Sequence, residues 1–190
     1  MIFSDWMIKD LVEREKMIDP FFNVTQGRAD GKISWGLSSC GYDARLDTEF
    51  KIPIKYKNDW GHQNILDPKF LDLDRLFKNH RADSLIIQAG EMVLARTMEY
   101  FKLPRDVFAI CLGKSTYARC GLIVNVTPIE PEWEGHVTLE LSNTSSLPIR
   151  VYGGEGICQF IFYNASRPEV SYADKQGKYQ GQIDVTIGKV

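Results

Sequence analysis

Residues 107–143 read VFAICLGKSTYARCGLIVNVTPIEPEWEGHVTLELSN, and two readings compete for them. The GKS at 113–115 is how a phosphate-binding P-loop ends. That motif requires G-x-x-x-x-G-K-[ST], with a glycine five residues before the second one. Phe108 stands there, inside the apolar run VFAICLG, so the glycine-rich nest of N–H groups that cradles phosphates is missing. The stretch reads instead as strands broken by turns. In GHVTLELSN, Val137, Leu139 and Leu141 face one way, and His136, Thr138, Glu140 and Ser142 face the other.

The same pattern continues outward. SLIIQ and EMVLARTMEYF precede the stretch, and PIRVY and GICQFIFYN follow it. Short strands at such spacing, separated by turn signals, predict an all-β barrel or sandwich. Nearer the N-terminus, 42–46 and 50–54 read as a hairpin. The first segment is predicted helical, capped by Ser4, with Met7, Ile8, Leu11 and Val12 on one face. Residues 55–82 are polar and irregular, an excursion holding one short helix around 74–79. The tail, 172–190, has no apolar period and is either a loose end or a lid that orders on a ligand.

Composition narrows the function. A chain of 190 residues fits one domain with a sizeable core. A formal net charge of -2 offers no nucleic-acid or membrane surface, so any anion must be held by a local cluster of Lys and Arg. The N-terminus lacks the apolar core of a signal peptide, and no stretch approaches a membrane span. The four cysteines, without C-x-x-C spacing, read as reduced thiols of a cytoplasmic protein. The three histidines have no metal-ligand spacing. The H-x-E and P-C-x-x-C halves of the zinc deaminase signature are both lacking.

Individual residues carry weak signals. Taken alone, Glu140 is a residue on a solvated strand face. Glu130, Glu132 and Glu134 around Trp133 make either a solvated turn or a support for a magnesium-bound ligand. Lys114 and Arg119 are either surface charges or a phosphate clamp.

Their combination is specific. Residues 113–143 resemble the central block of the dCTP deaminase family, G-R-S-S-x-A-R-x-G-L, then an acidic-Pro-x-Trp loop, then a strand ending L-E. CGYDARL at 40–46 resembles the family's S-Y-D-x-R-L block. YADKQGKYQGQ at 172–182 resembles its Tyr…Lys-Tyr…Gln block, and SDWMIKDLVEREKMIDPF its first helix. The chain departs from the pattern at Lys114, where Arg is usual, at Asn125, where some members carry His, and in a shortened loop with Glu130 for Asp.

The resemblance implies a mainly β fold: a distorted β-barrel or jelly roll of the dUTPase-like type with a short N-terminal helix and few others. It implies one domain over 1–190, a lid at 172–190, and a homotrimer with active sites between subunits. The implied reaction is zinc-independent hydrolysis of dCTP to dUTP and ammonia, with Glu140 as general acid/base. Ser115 orients the water and Arg119 stabilises developing charge. The nucleotide-binding set is Lys114, Ser115, Thr116, Tyr117, Ala118, Arg119, Glu130, Thr138, Leu139, Glu140, Gln159, Tyr172, Lys178 and Gln182. Mg²⁺ is expected on the triphosphate, and dTTP as a feedback inhibitor. A dUTPase is disfavoured, because Glu130 and Trp133 replace its Asp and Tyr and the glycine-rich tail motif is missing. A bifunctional enzyme continuing to dUMP, and a non-catalytic nucleotide-binding regulator, stay open.

Overall fold

The computed structural model describes residues 1–55, 65–69 and 76–189. Helix α1 (Asp5–Glu15) buries Ile8 and Val12, with Met7 and Leu11 packed beside them, as the spacing predicts. Ser4 holds the N-cap position in an extended conformation, but its hydroxyl is buried and makes no cap bond. Asp5 instead accepts the Trp6 N–H at 2.8 Å.

The strands are β1 (Ile18–Asp19), β2 (Gly36–Ser38), β3 (Gly41–Arg45), β4 (Glu49–Pro53), β5 (Phe77–Arg81), β6 (Ser84–Ile87), β7 (Met92–Lys102), β8 (Val107–Gly113), β9 (Leu122–Asn125), β10 (Glu134–Asn143), β11 (Ile149–Tyr152) and β12 (Gly156–Asn164). A one-turn helix α2 (Ser115–Ala118) follows β8. One sheet runs β5-β4-β7-β10-β9 with β1 added to β7, a second runs β2-β3-β12-β8, and β11 pairs with β6. The fold is mainly β, as expected, and of jelly-roll type. Its sheets do not close into a continuous barrel among the described residues. No helix among those residues is long and apolar enough to cross a membrane.

Two further sequence expectations are corrected. The predicted hairpin does not form: β3 pairs with β2 and β12, whereas β4 pairs with β5 and β7 in the other sheet. Tyr42, Ala44 and Leu46 are all fully buried. Leu46 bridges Thr97 of β7 as the chain crosses between sheets. The excursion also contains a strand, because Phe77–Arg81 pairs with Glu49–Pro53. β5 ends the sheet, and most of its residues after Phe77 are exposed; polar residues suit such an edge, which hides the strand in the sequence. Of the predicted helix at 74–79, residues 74 and 75 lie outside the described residues, and Leu76 is helical.

The main core lies between the sheets. Phe101 of β7 and Phe160 of β12 are fully buried with ring centroids 4.3 Å apart, and Phe162 packs beside both. Each such ring stabilises the fold by roughly 1.5–3 kcal/mol relative to exposure. One ion pair crosses the core. Glu99, 0% exposed, accepts the Arg45 N–H and Nε–H, each at 2.8 Å. Burial pushes the Glu99 carboxyl up despite this partner.

A bulge in the β7–β10 ladder sets the register of the C-terminal half of β10. His136 sits opposite Tyr100 and Thr138 opposite Arg96, so β7 carries extra residues there. The buried Thr97 hydroxyl accepts the Val137 N–H at 3.0 Å and donates to Glu99 O at 2.7 Å. A side chain thereby supplies the bond that the ladder lacks.

Candidate active site

β10 is ten residues long and its neighbour β9 only four. β9 pairs with it over Glu140–Asn143, the last pair being Glu140 with Asn125. At the other end of β10 the tail takes over. Gln182 bridges Gly135, and its carbonyl accepts the His136 N–H at 2.9 Å. Thr138 lies between these two pairings. There the chain leaving β9 and the tail diverge, opening a cleft of about 460 Å³. That volume is in the range of small-molecule sites.

Glu140 and Thr138 line the cleft from β10, Val126 to Glu130 and Trp133 from the loop, and Tyr172, Tyr179, Gln182 and Thr186 from the tail. Alternation explains the first two, since Val137, Leu139 and Leu141 occupy the buried face. Burial pushes the Glu140 carboxyl up from the usual 4.5 to about 6, against smaller opposing pulls from its own backbone and from Asn125. The Asn125 amide donates to Glu140 Oε2 at 3.4 Å. At this value Glu140 both accepts and releases protons near neutrality.

The tail is docked. Thr138 Oγ accepts Gln182 Nε2 at 3.0 Å and the Thr186 N–H at 3.2 Å. Arg96 donates to the Ile183 carbonyl. Val185 and Ile187 are buried against Leu76, Phe77 and Leu94. Trp133, 7% exposed, donates Nε1–H to Tyr179 O at 3.1 Å, and the Tyr179 N–H donates to the Tyr172 hydroxyl at 3.1 Å. Gly177 packs flat on the Tyr172 ring, where a Cβ would approach to 2.2 Å, so no larger residue fits without displacing the ring.

Of the residues expected from the sequence, the cleft brings together Glu130, Thr138, Glu140, Tyr172 and Gln182. The others lie elsewhere in the chain. Ser115, Thr116, Ala118 and Arg119 are exposed on or beside α2, and Arg119 Nη1 donates to Ser115 O at 3.3 Å. Tyr117 is buried, its hydroxyl accepts the Tyr152 N–H, and burial raises it to about 12. Lys114 Nζ pairs with Asp43 Oδ2 at 2.6 Å, both side chains 12% exposed. Leu139 points into the core, Gln159 donates to Ser38 Oγ at 3.1 Å, and the exposed Lys178 donates to Lys189 O at 3.1 Å. Sequence reasoning missed Asn125 as the partner of Glu140, and Tyr179 and Thr186 as lining. Only the strand register could have found Asn125. Among the described residues, no three His, Cys, Asp or Glu side chains converge as a metal-holding group.

The cleft thus opens in an antiparallel β fold beside a carboxyl that burial raises. The solved 2'-deoxycytidine 5'-triphosphate deaminase from Agrobacterium tumefaciens has the same fold, with a TM-score of 0.63 at 19% identity over 86% of this chain. This chain spans about half, 48%, of that one. The model of the dCTP deaminase-like family matches residues 2–165, and the chain belongs to that family. It is 53% identical over 190 residues to the dCTP deaminase of Rhodospirillum centenum, covering 100% of this chain and 99% of that protein. The dCTP deaminase of Novosphingobium aromaticivorans matches with the same figures.

Proposed function

We propose that this chain catalyses hydrolysis of dCTP to dUTP and ammonia in deoxynucleotide metabolism. The observation that carries the reading is Glu140, fixed on a central strand, lining the cleft, with its carboxyl raised to about 6. Full-length relatives named dCTP deaminase support the same activity. Water attacks C4 of cytosine while the Glu140 carboxylate takes one of its protons and passes it to N3. The same carboxyl then carries the remaining hydroxyl proton to the amino group, which leaves as ammonia. Thr138, Tyr172 and Gln182 hold the nucleotide, and the Thr127–Pro128 carbonyls orient the water with Ser115.

None of residues 114–119 lines the cleft that holds Glu140, which supports a reading in which they enter the site across a subunit boundary. In the homotrimer, α2 of a neighbouring subunit delivers Ser115 and Arg119 together. Lys114 would share its ammonium between Asp43 and phosphate, with Lys178 and Gln159 as further contacts. Mg²⁺ arrives as part of the substrate, on the triphosphate. The whole chain, 1–190, acts as one cytoplasmic catalytic domain with 172–190 as its lid, and dTTP competes for the site as a feedback inhibitor.

Glu130 lines the same cleft as Glu140, and this favours a second reading, activation of another water that carries dUTP on to dUMP and pyrophosphate. Chromatography of products from dCTP and Mg²⁺, with ammonia assayed in parallel and Glu140→Gln alongside, separates the readings. dUTP with ammonia, lost in the variant, supports the deaminase. dUMP with pyrophosphate supports the bifunctional enzyme. Tight dCTP binding without product leaves a regulator.

A further inference from the structure

We infer that Arg105, outside the cleft, is a positioning residue that fixes the closed tail against the acidic loop so that the nucleotide meets a preformed wall. This rests on the cleft being the dCTP site. Arg105 follows Pro104 in the turn between β7 and β8 and lines no part of the cleft. Its Nη1 donates to Glu132 Oε2 at 2.7 Å. Its Nη2 donates to Asp174 Oδ2 at 2.8 Å, to Glu169 O at 3.0 Å and to Pro168 O at 3.3 Å.

Neither carboxylate lines the cleft itself, but each sits one or two residues from a side chain that does, Glu132 beside Trp133 and Asp174 beyond Tyr172. Glu132 adjoins Trp133 and holds a left-handed backbone, φ 63, which a side-chain anchor helps to maintain. Its carbonyl also accepts Gln180 Nε2 at 3.0 Å. Asp174 lies two residues beyond Tyr172 and closes a turn by accepting the Ser171 N–H at 2.9 Å. That N–H, and then Arg105, hold the Asp174 carboxyl below its usual range. A planar guanidinium spans two carboxylates and two carbonyls at once, which an ammonium cannot do. The Lys175–Glu130 pair crosses the same gap at 3.3 Å, but both side chains are about half exposed, so it contributes little.

The test compares Arg105→Gln, Asp174→Asn and Arg105→Lys with the wild type. Thermal unfolding checks that each variant folds. Hydrogen exchange of amides 168–189 is followed by mass spectrometry with and without dUTP and Mg²⁺, and steady-state kinetics use dCTP and Mg²⁺. Arg105→Gln and Asp174→Asn are expected to speed tail exchange in the free protein about tenfold and raise KM about tenfold, with kcat changed less than about threefold. Arg105→Lys is expected to recover part of the KM loss. Unchanged tail exchange in both folded variants, or a fall in kcat at constant KM, overturns the inference. If the wild type does not turn over dCTP, the proposed activity fails by itself and the exchange measurement still decides the role of Arg105.

Discussion

Replacing Glu140 by Gln separates chemistry from stability, because the two change in opposite directions. The carboxyl titrates at about 6 in the fold and at 4.5 ordinarily, so the folded state binds the proton more tightly. Stability contributed by the protonated form is fully present below pH 4.5 and is lost as pH rises through 6. At 1.36 kcal/mol per pH unit the unscreened cost of holding the carboxylate at pH 8 is about 2 kcal/mol. Part of the side chain reaches solvent, and screening reduces this to about 1 kcal/mol. Glu140→Gln, neutral throughout, is therefore expected to be more stable than wild type by about 1 kcal/mol at pH 8, a rise of about 2–4 °C in Tm. Near pH 4 the difference should shrink toward zero. Urea unfolding of both proteins at pH 4, 6 and 8, at matched concentration, measures this directly. In the same preparation kcat should fall at least 100-fold, the lower range for general acid/base catalysis. A stability difference independent of pH would refute the reasoning, whatever happens to activity.

Other contacts are open to test in the same way. Thr138→Val removes the acceptor shared by Gln182 Nε2 and the Thr186 N–H; at about 1 kcal/mol per bond, KM for dCTP should rise by up to about thirtyfold and tryptic cleavage of the tail should quicken. Arg45→Met leaves Glu99 buried with only the residue-45 backbone N–H as donor and no opposite charge, and should destabilise the fold by about 3 kcal/mol, read from urea midpoints. Mixing denatured Ser115→Ala and Glu140→Gln chains and refolding them together should restore activity that neither has alone. Sedimentation should give about three times the 21.7 kDa chain mass, and monomers with full activity would sink the shared-site reading. The pH profile of kcat/KM should rise through about pH 6 as Glu140 becomes available as a base, and a flat profile between pH 5 and 7 counts against that role.

What was legible in the sequence were the elements whose pattern is local. β10 declares itself because one face meets the core and the other does not, and α1 because four apolar residues share a stripe. Partners of adjacent segments were not legible. Residues 42–46 and 50–54 look like a hairpin, yet burial of Tyr42, Ala44 and Leu46 draws the first to one sheet while the second joins the other. β5 escaped notice because an edge strand with polar residues looks like a loop. Val185 and Ile187, spaced for one face of an extended chain, gave no warning in a polar tail that they would be buried with Phe77 and Leu94. Glu140 shows the same limit at the site. Local alternation makes it a solvated residue, and only the loop after β9 and the tail returning from residues 172–187 bring it to half-burial. The family resemblance supplied expectations about residue roles that the pattern alone did not.

The unequal lengths of β9 and β10 have a further consequence. If β9 kept its register past Asn125, Thr127 would face Thr138 and Pro128 would face Val137. Pro128 is poorly suited to such a ladder, having no N–H to give. The cleft is thus the place of a strand segment that was never laid down, not a hole in the packed interior. Residues at its mouth, such as Glu130 and Thr186, can change while Leu139, Leu141 and the Phe101–Phe160 contact stay as they are. Where Ile129, Trp133 and Val137 line it, however, the wall of the cleft is the core itself, and a change at those three reaches the fold as well.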